Sequence, residues 1–261
     1  MKMKLMKTLY ELIQDPYERK ARLTPGLLVI LPLLVPLVSA YGPKNPILTG
    51  IVALLAGCGA MFALSNITRG NGKKLEVKLE KKWGGMPTTI ILRHRDKYLD
   101  IITKQRYHDL IETKLGIKLL SAEDENAEPE KADQYIIAAT RRLRELNRKN
   151  KGLLLKENIA YGFHRNMLSM KVIGIFSSLC GFIYGLILAK ILKIIPPNFD
   201  IVNIANPGLP ASLTLLISLA LLLSWIFYFK QSSVRVIGNS YAERLFETLQ
   251  SLKKTVKNSQ S

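Results

Sequence analysis

The chain has little of what most catalytic and metal-binding proteins are built from. Two cysteines, Cys58 and Cys180, and three histidines are all it holds. Both cysteines fall in apolar stretches, where a thiol behaves as a small apolar group, so neither a disulfide framework nor a zinc site is expected. No phosphate-binding loop of the GxxxxGK[ST] or GxGxxG kind occurs. No nucleophile, histidine and carboxylate stand in a catalytic order, and the sequence implies no metal and no cofactor. Four long apolar runs contain no Asp or Glu at all. Ion- and proton-coupled transporters generally need ionisable groups inside the membrane, so that class is disfavoured.

What is present is hydrocarbon length and positive charge. The apolar runs are Leu23–Gly42, Pro46–Asn66, Val172–Lys193 and Ser212–Phe229. Each has the roughly 20 residues a helix needs to cross a bilayer. Of 38 Lys and Arg, 6 precede the first run, 23 lie between the second and third, and 6 follow the fourth. The short connectors within each pair carry only Lys44, Lys190 and Lys193. The positive-inside bias then places both termini and the central segment in the cytoplasm of a bacterial inner-membrane, multi-pass protein. Val38-Ser39-Ala40 looks like a signal-peptidase site, but the charged region before the apolar run is too long for a secretory leader, and an uncleaved anchor is expected.

The fold expected is an all-α membrane protein with four transmembrane helices in two hairpins and a helical cytoplasmic domain between them. Residues 1–22 read as an amphipathic cytoplasmic segment, 23–67 as the first hairpin and 68–171 as the basic domain. Residues 172–229 form the second hairpin and 230–261 an amphipathic tail. Pro25, Pro32 and Pro36 make the first span irregular, which predicts that it packs against neighbours. Arg69-Gly70-Asn71-Gly72 is expected to break the chain, and Lys73–Lys82 fits either a strand or a helix. A long helix is expected from Thr88 to Leu115, stopped by Gly116. The acidic Ser121–Glu130 reads as a loop, and helices follow over about 131–150 and 153–169, the latter running into the third span. Another helix is expected over Tyr241–Val256, with Leu245, Leu249 and Leu252 on one face. Its partner is the domain, the membrane surface or a second copy.

Three groups of residues are candidates for function. Gly84 and Gly85, followed by Thr88, Thr89, Arg93 and Arg95, suit an anion site of glycine-permitted N–H groups at a helix start. The alternative is a tight turn with a cap. Glu157, Asn158, Tyr161, His164, Arg165 and Asn166 are spaced to form a polar elbow at the entry to the third span. Such an elbow either couples the domain to the span or only locks the junction. Ser177, Gly181, Gly185 and Ala189 recur every four residues and predict a close helix contact, within the chain or in a homo-oligomer. His94 and His108, on the single helix expected here, would stand about 21 Å apart at 1.5 Å per residue and could not share a ligand.

The segments DPYERKARLTP (from Asp15), KKWGGMPTT (from Lys81) and ENIAYGFHRN (from Glu157) resemble parts of small bacterial polytopic membrane proteins. These are similar in plan to the membrane effectors of anti-phage systems, in which a cytoplasmic module senses and membrane helices execute. That resemblance implies an effector or signalling protein whose partners are membrane lipids and a cytoplasmic protein, nucleotide or nucleic acid. The residues themselves fit a membrane-anchored scaffold as well. An interfacial enzyme acting on lipid headgroups or nucleotides is the third expectation.

Overall fold

A computed structural model describes residues 14–42, 45–47, 50, 60–148 and 152–252. Among these residues the chain is all-α apart from one two-residue ladder. Most of the expected first amphipathic segment, most of the second apolar run and the end of the tail lie outside the described residues. Three helical stretches among those described are long and apolar enough to cross a membrane: Glu18–Ala40, Lys171–Leu188 and Leu209–Tyr228.

The chain divides into two compact units. One takes the residues up to Glu76 together with Gly162–Ser233; the other takes Val77–Tyr161 and the chain from Val234.

In the first unit, α1 (Thr24–Pro36) is flanked by π-helical turns at Glu18–Leu23 and Leu37–Tyr41. It packs against α8 (Lys171–Leu188) and α9 (Leu209–Leu223), and those two pack against each other. The buried face of α1 is made of Pro25, Gly26, Val29, Pro32 and Pro36. The irregular span is thus held by neighbours, as its prolines require. Outward from the three helices point Val172, Phe176, Leu216 and Phe227, all well exposed. A tryptophan at the end of α9's continuation, Trp225, is fully buried and lies over Gly174, with Val29, Met167, Met170 and Phe229 around it.

Helix α2 (Met61–Trp83) corrects one expectation and settles another. It runs unbroken through Gly70-Asn71-Gly72, and it makes Lys73–Lys82 helical. The glycine at 72 serves close approach instead of a turn. A Cβ there would stand 1.8 Å from Asn166 Oδ1, and the neighbouring Asn71 amide donates to Met170 Sδ at 3.3 Å.

In the second unit, α3 (Pro87–Ile90) is a single turn. An irregular segment follows, anchored by the buried Ile91, Leu92, Arg93 and Leu99, and α4 (Ile101–Leu115) begins only at Asp100. The expected helix from Thr88 is therefore two helices with ten residues of loop between them. Asp100 caps α4 by accepting from Thr103 N–H at 2.8 Å, and Gly116 ends it in the left-handed region as expected. The acidic stretch is helical too. Ser121 caps α5 (Ala122–Ala127), and α6 (Pro129–Leu146) starts two residues after it ends. The next helix, α7 (Leu153–Ser169), is separated from α8 by Met170, whose backbone leaves the helical region.

After α8 comes a small ladder, β1 (Leu192–Lys193) against β2 (Asn198–Phe199), with Leu192 facing Phe199. The tail helix α10 spans Gln231–Glu247, earlier than expected, and closes with a 3-10 turn at Thr248–Ser251. Its buried Leu245, Phe246 and Leu249 complete the core of the second unit with Ile91, Leu92, Ile111, Ile136 and Leu143, and Leu252 packs alongside. The apolar face of the tail therefore belongs to its own unit's core.

Candidate functional site

The glycine turn after α2 places Gly84 and Gly85 at φ +75° and +148°, the backbone that glycine permits. The cation expected to face an anion there has an internal partner. Arg93 is buried, and its Nε and Nη2 donate to the two carboxylate oxygens of Asp133 at 2.8 and 2.7 Å. Nη2 also donates to the carbonyl of Gly84. This two-pronged geometry satisfies a guanidinium and leaves it little charge to offer an outside ligand. Gly85 N–H donates back to Glu80 O at 2.9 Å. Thr88 and Thr89 are buried, and Thr88 Oγ1 accepts from Arg144 at 3.2 Å. Arg95 lies 3.6 Å from Glu125. The segment is thus a tightly bonded turn. The four-residue α3 is too short to carry a helix-end anion site.

Sequence reasoning missed the network behind this turn. With a loop between α3 and α4, His94 and His108 meet edge to face, their ring centroids 4.6 Å apart. His108 Nε2 donates to Leu92 O at 2.8 Å, and His94 Nε2 to Leu120 O at 3.0 Å. The buried Lys104 ammonium donates to the carbonyls of His94 and Asp96. Opposite it, the buried Glu125 carboxylate accepts the backbone N–H of His94 at 2.8 Å. Burial pushes the His108 imidazole below its ordinary value, as does the neighbouring His94, while the Leu92 carbonyl and Glu125 act the other way. These side chains satisfy the backbone of a buried loop, which would otherwise leave polar groups without partners. The signal that could have found them is Asp100 followed three residues on by Thr103, a helix start inside the apolar periodicity.

The six elbow residues share α7, and the division between the units falls among them. Tyr161 is buried and stacks on Tyr241, ring centroids 6.1 Å apart, while the Arg144 guanidinium lies 5.9 Å from the Tyr241 ring on the same unit. Arg144 thereby joins Tyr161 to Thr88, two residues assigned to different sites by the sequence. Glu157 and Asn158 are half-buried. In the first unit, Arg165 pairs with Glu76 at 2.9 Å and Asn166 is fully buried. His164 reaches Tyr228 Oη at 3.3 Å and sits among the rings of Phe163 and Phe229.

Asn166 explains how Pro25 is tolerated. Pro25 has no N–H to give the carbonyl of Ala21, one turn back, and Asn166 Nδ2 donates to that carbonyl at 2.6 Å. Ser177 Oγ adds a second bond into α1, donating to Val29 O at 2.5 Å. The stripe that Ser177 begins is covered inside the chain. At Gly181 a Cβ would meet Pro32 O and Ser218 Oγ, both at 2.6 Å, and at Gly185 it would meet Leu215 at 2.9 Å. Ala189 packs with Ile191 and Ala211.

Among the described residues no group of three or more His, Cys, Asp or Glu is placed to hold a metal ion. Comparison of the chain with protein-family models, curated proteins and solved structures found no match.

Proposed function

We propose that this chain is a bacterial inner-membrane effector or signalling protein, whose basic cytoplasmic unit receives a ligand or partner and shifts the membrane helices. In this reading four spans form two hairpins and both termini are cytoplasmic. The observation that carries it is the placement of the division between the units. It falls inside α2, α7 and α10, at Glu76, Gly162 and Ser233. A rearrangement in the second unit therefore has three continuous hydrogen-bonded backbones leading into the first.

The charge distribution supports the orientation. Arg22 lies within electrostatic range of Arg69 and Arg165, and Lys171 donates to the carbonyls of Ile226 and Phe229. These cations mark one end of the apolar bundle, where anionic headgroups of the cytoplasmic leaflet attract about 1 kcal/mol per Lys or Arg. The opposite connector carries Lys190 and Lys193 with Asp200. On the second unit, Arg141 and Arg142 near the end of α6 and Arg148 just after it are exposed, a surface suited to an acidic protein, a nucleotide or a nucleic acid.

The narrower proposal is anti-phage defence, with membrane depolarisation as output. A voltage-sensitive dye in bacteria expressing the protein at low level, read before and after phage challenge, tests it. Depolarisation only after challenge is the expected result; a steady potential in both states, with the protein confirmed in the membrane, contradicts it.

One observation favours a second reading, a membrane-anchored binding module. The small-residue stripe is closed against α1 and α9, so among the described residues this contact needs no rearrangement. Under that reading Arg141→Glu with Arg142→Glu abolishes capture of a cytoplasmic partner and leaves the membrane potential untouched throughout.

A further inference from the structure

The connector between α8 and α9, residues 189–208, is built the wrong way round for a loop in water. Asp200 and Asn203 tie it together from within. Asp200 N–H donates to Ile191 O at 2.8 Å, and the Asp200 carboxylate accepts from Val202 N–H at 3.2 Å and from Asn203 Nδ2 at 3.0 Å. Asn203 Nδ2 also reaches Lys190 O at 3.3 Å. A buried Ile191, packed on Ala189 and Ala211, fixes the connector to the ends of the two helices. Its large apolar side chains point away from this frame. Ile195 is 90 % and Val202 83 % exposed, and Ile194, Phe199, Ile201 and Ile204 are each more than half exposed.

Water-facing loops do the reverse, because their polar groups are solvated and their apolar ones pack. Six exposed apolar side chains within eleven residues of a folded connector mark an interaction surface. The occupant follows from continuity. The patch runs into Leu209, 72 % exposed, and on to Leu216, so it extends the lipid-facing surface of α9. Internal satisfaction of polar groups is what a low-dielectric environment demands. Lys190 and Lys193 are exposed at the patch margin, where headgroup phosphates would lie.

We propose that this connector inserts into the outer leaflet at the boundary between headgroups and acyl chains, with Ile195 and Val202 deepest and the two lysines on anionic headgroups. It holds the α8–α9 hairpin at a fixed depth. The proposal rests on the membrane-spanning reading of α8 and α9, and the test separates the two.

The full chain, with Cys58→Ala and Cys180→Ala, carries one environment-sensitive fluorophore on Ile195→Cys, Val202→Cys, Leu216→Cys or Ile101→Cys. It is reconstituted in phosphatidylethanolamine/phosphatidylglycerol vesicles containing nitroxide lipids. Labels at 195 and 202 are expected to emit to the blue and be quenched best by a nitroxide near the headgroup. The label at 216 is expected to be quenched best by one deep in the acyl chain, and that at 101 by neither. Water-like emission at 195 and 202 with quenching at 216 overturns the connector proposal alone. Absence of quenching at 216 overturns the spanning reading beneath it. Blue emission at 195 that ignores nitroxide lipids and fades as protein is diluted in lipid assigns the surface to a second copy, and also overturns the proposal. Replacing phosphatidylglycerol with a zwitterionic lipid is expected to reduce quenching at 195; no change removes the role given to the lysines.

Discussion

Leu216 in the first unit is 69 % exposed, whereas Leu245 in the second is fully buried, although each is a leucine on a helix. The contrast extends to whole cores. The second unit builds its core from Ile, Leu and Phe, the arrangement that removal of apolar surface from water produces, and the charges it buries, Arg93, Lys104 and Glu125, are each bonded internally. The first unit keeps apolar clusters around Trp225 and Ile191, but where its helices cross it buries glycine, serine, threonine, proline and one asparagine amide, and it turns leucine, valine and phenylalanine outward. Lipid tails are as apolar as leucine, so burying a leucine there gains nothing. Close backbone approach and inter-helix hydrogen bonds are then what hold helices together. One chain thus follows two packing rules, and the rule changes inside α2, α7 and α10.

Substitutions that respect one rule and violate the other should sharpen this contrast. Phe246→Ala removes a fully buried ring packed on Tyr107 and is expected to destabilise the second unit by about 3–5 kcal/mol. Hydrogen exchange of α4 and α6 amides in the full chain measures it, and α8 and α9 should keep their protection. In the first unit the corresponding injury is an addition. Gly181→Leu forces a side chain onto Pro32 O and Ser218 Oγ and should cost about 1–3 kcal/mol or more, read as a lower unfolding temperature in lipid nanodiscs.

Arg93→Ala leaves the Asp133 carboxylate and the Gly84 carbonyl without their donor. About 2 kcal/mol of the second unit's stability should go, with partial recovery in Arg93→Lys, which keeps the charge but loses the fork. A smaller effect follows from pH. Because burial holds His108 below its ordinary value of 6.5, the unfolded chain binds its proton first, and stability falls as pH drops below about that value. His108→Gln should flatten this dependence in denaturation curves between neutral and mildly acidic pH. The weakest effect is expected for Leu216→Ala, within about 0.5 kcal/mol, since lipid replaces the lost contact.

The sequence made the first unit more legible than the second. Span lengths, the proline-rich face of α1 and the stripe from Ser177 to Ala189 are local patterns, and local patterns survive in a list of residues. Gly72 was misleading: a glycine beside Asn71 reads as a turn, and only the arrival of Asn166 from another helix shows that it is a contact. In the second unit Ile90-Ile91-Leu92 and Ile101-Ile102 fall in near-helical phase, so the loop between α3 and α4 was hidden and the histidines were held apart on paper. Its determinants are long-range. Glu125 supports His94 from 31 residues away, and Asp133 meets Arg93 across 40. The leucine face of α10 was visible, but nothing in its own periodicity names the core that covers it.

The central claim is that equal exposure means different solvents in the two units. It is tested by single cysteines at Ile101, 86 % exposed, and Leu216, 69 % exposed, in the chain lacking Cys58 and Cys180. A water-soluble maleimide is applied to native membranes opened on the cytoplasmic side. The account predicts rapid labelling at 101 and none at 216 until detergent is added; labelling of both at similar rates would contradict it.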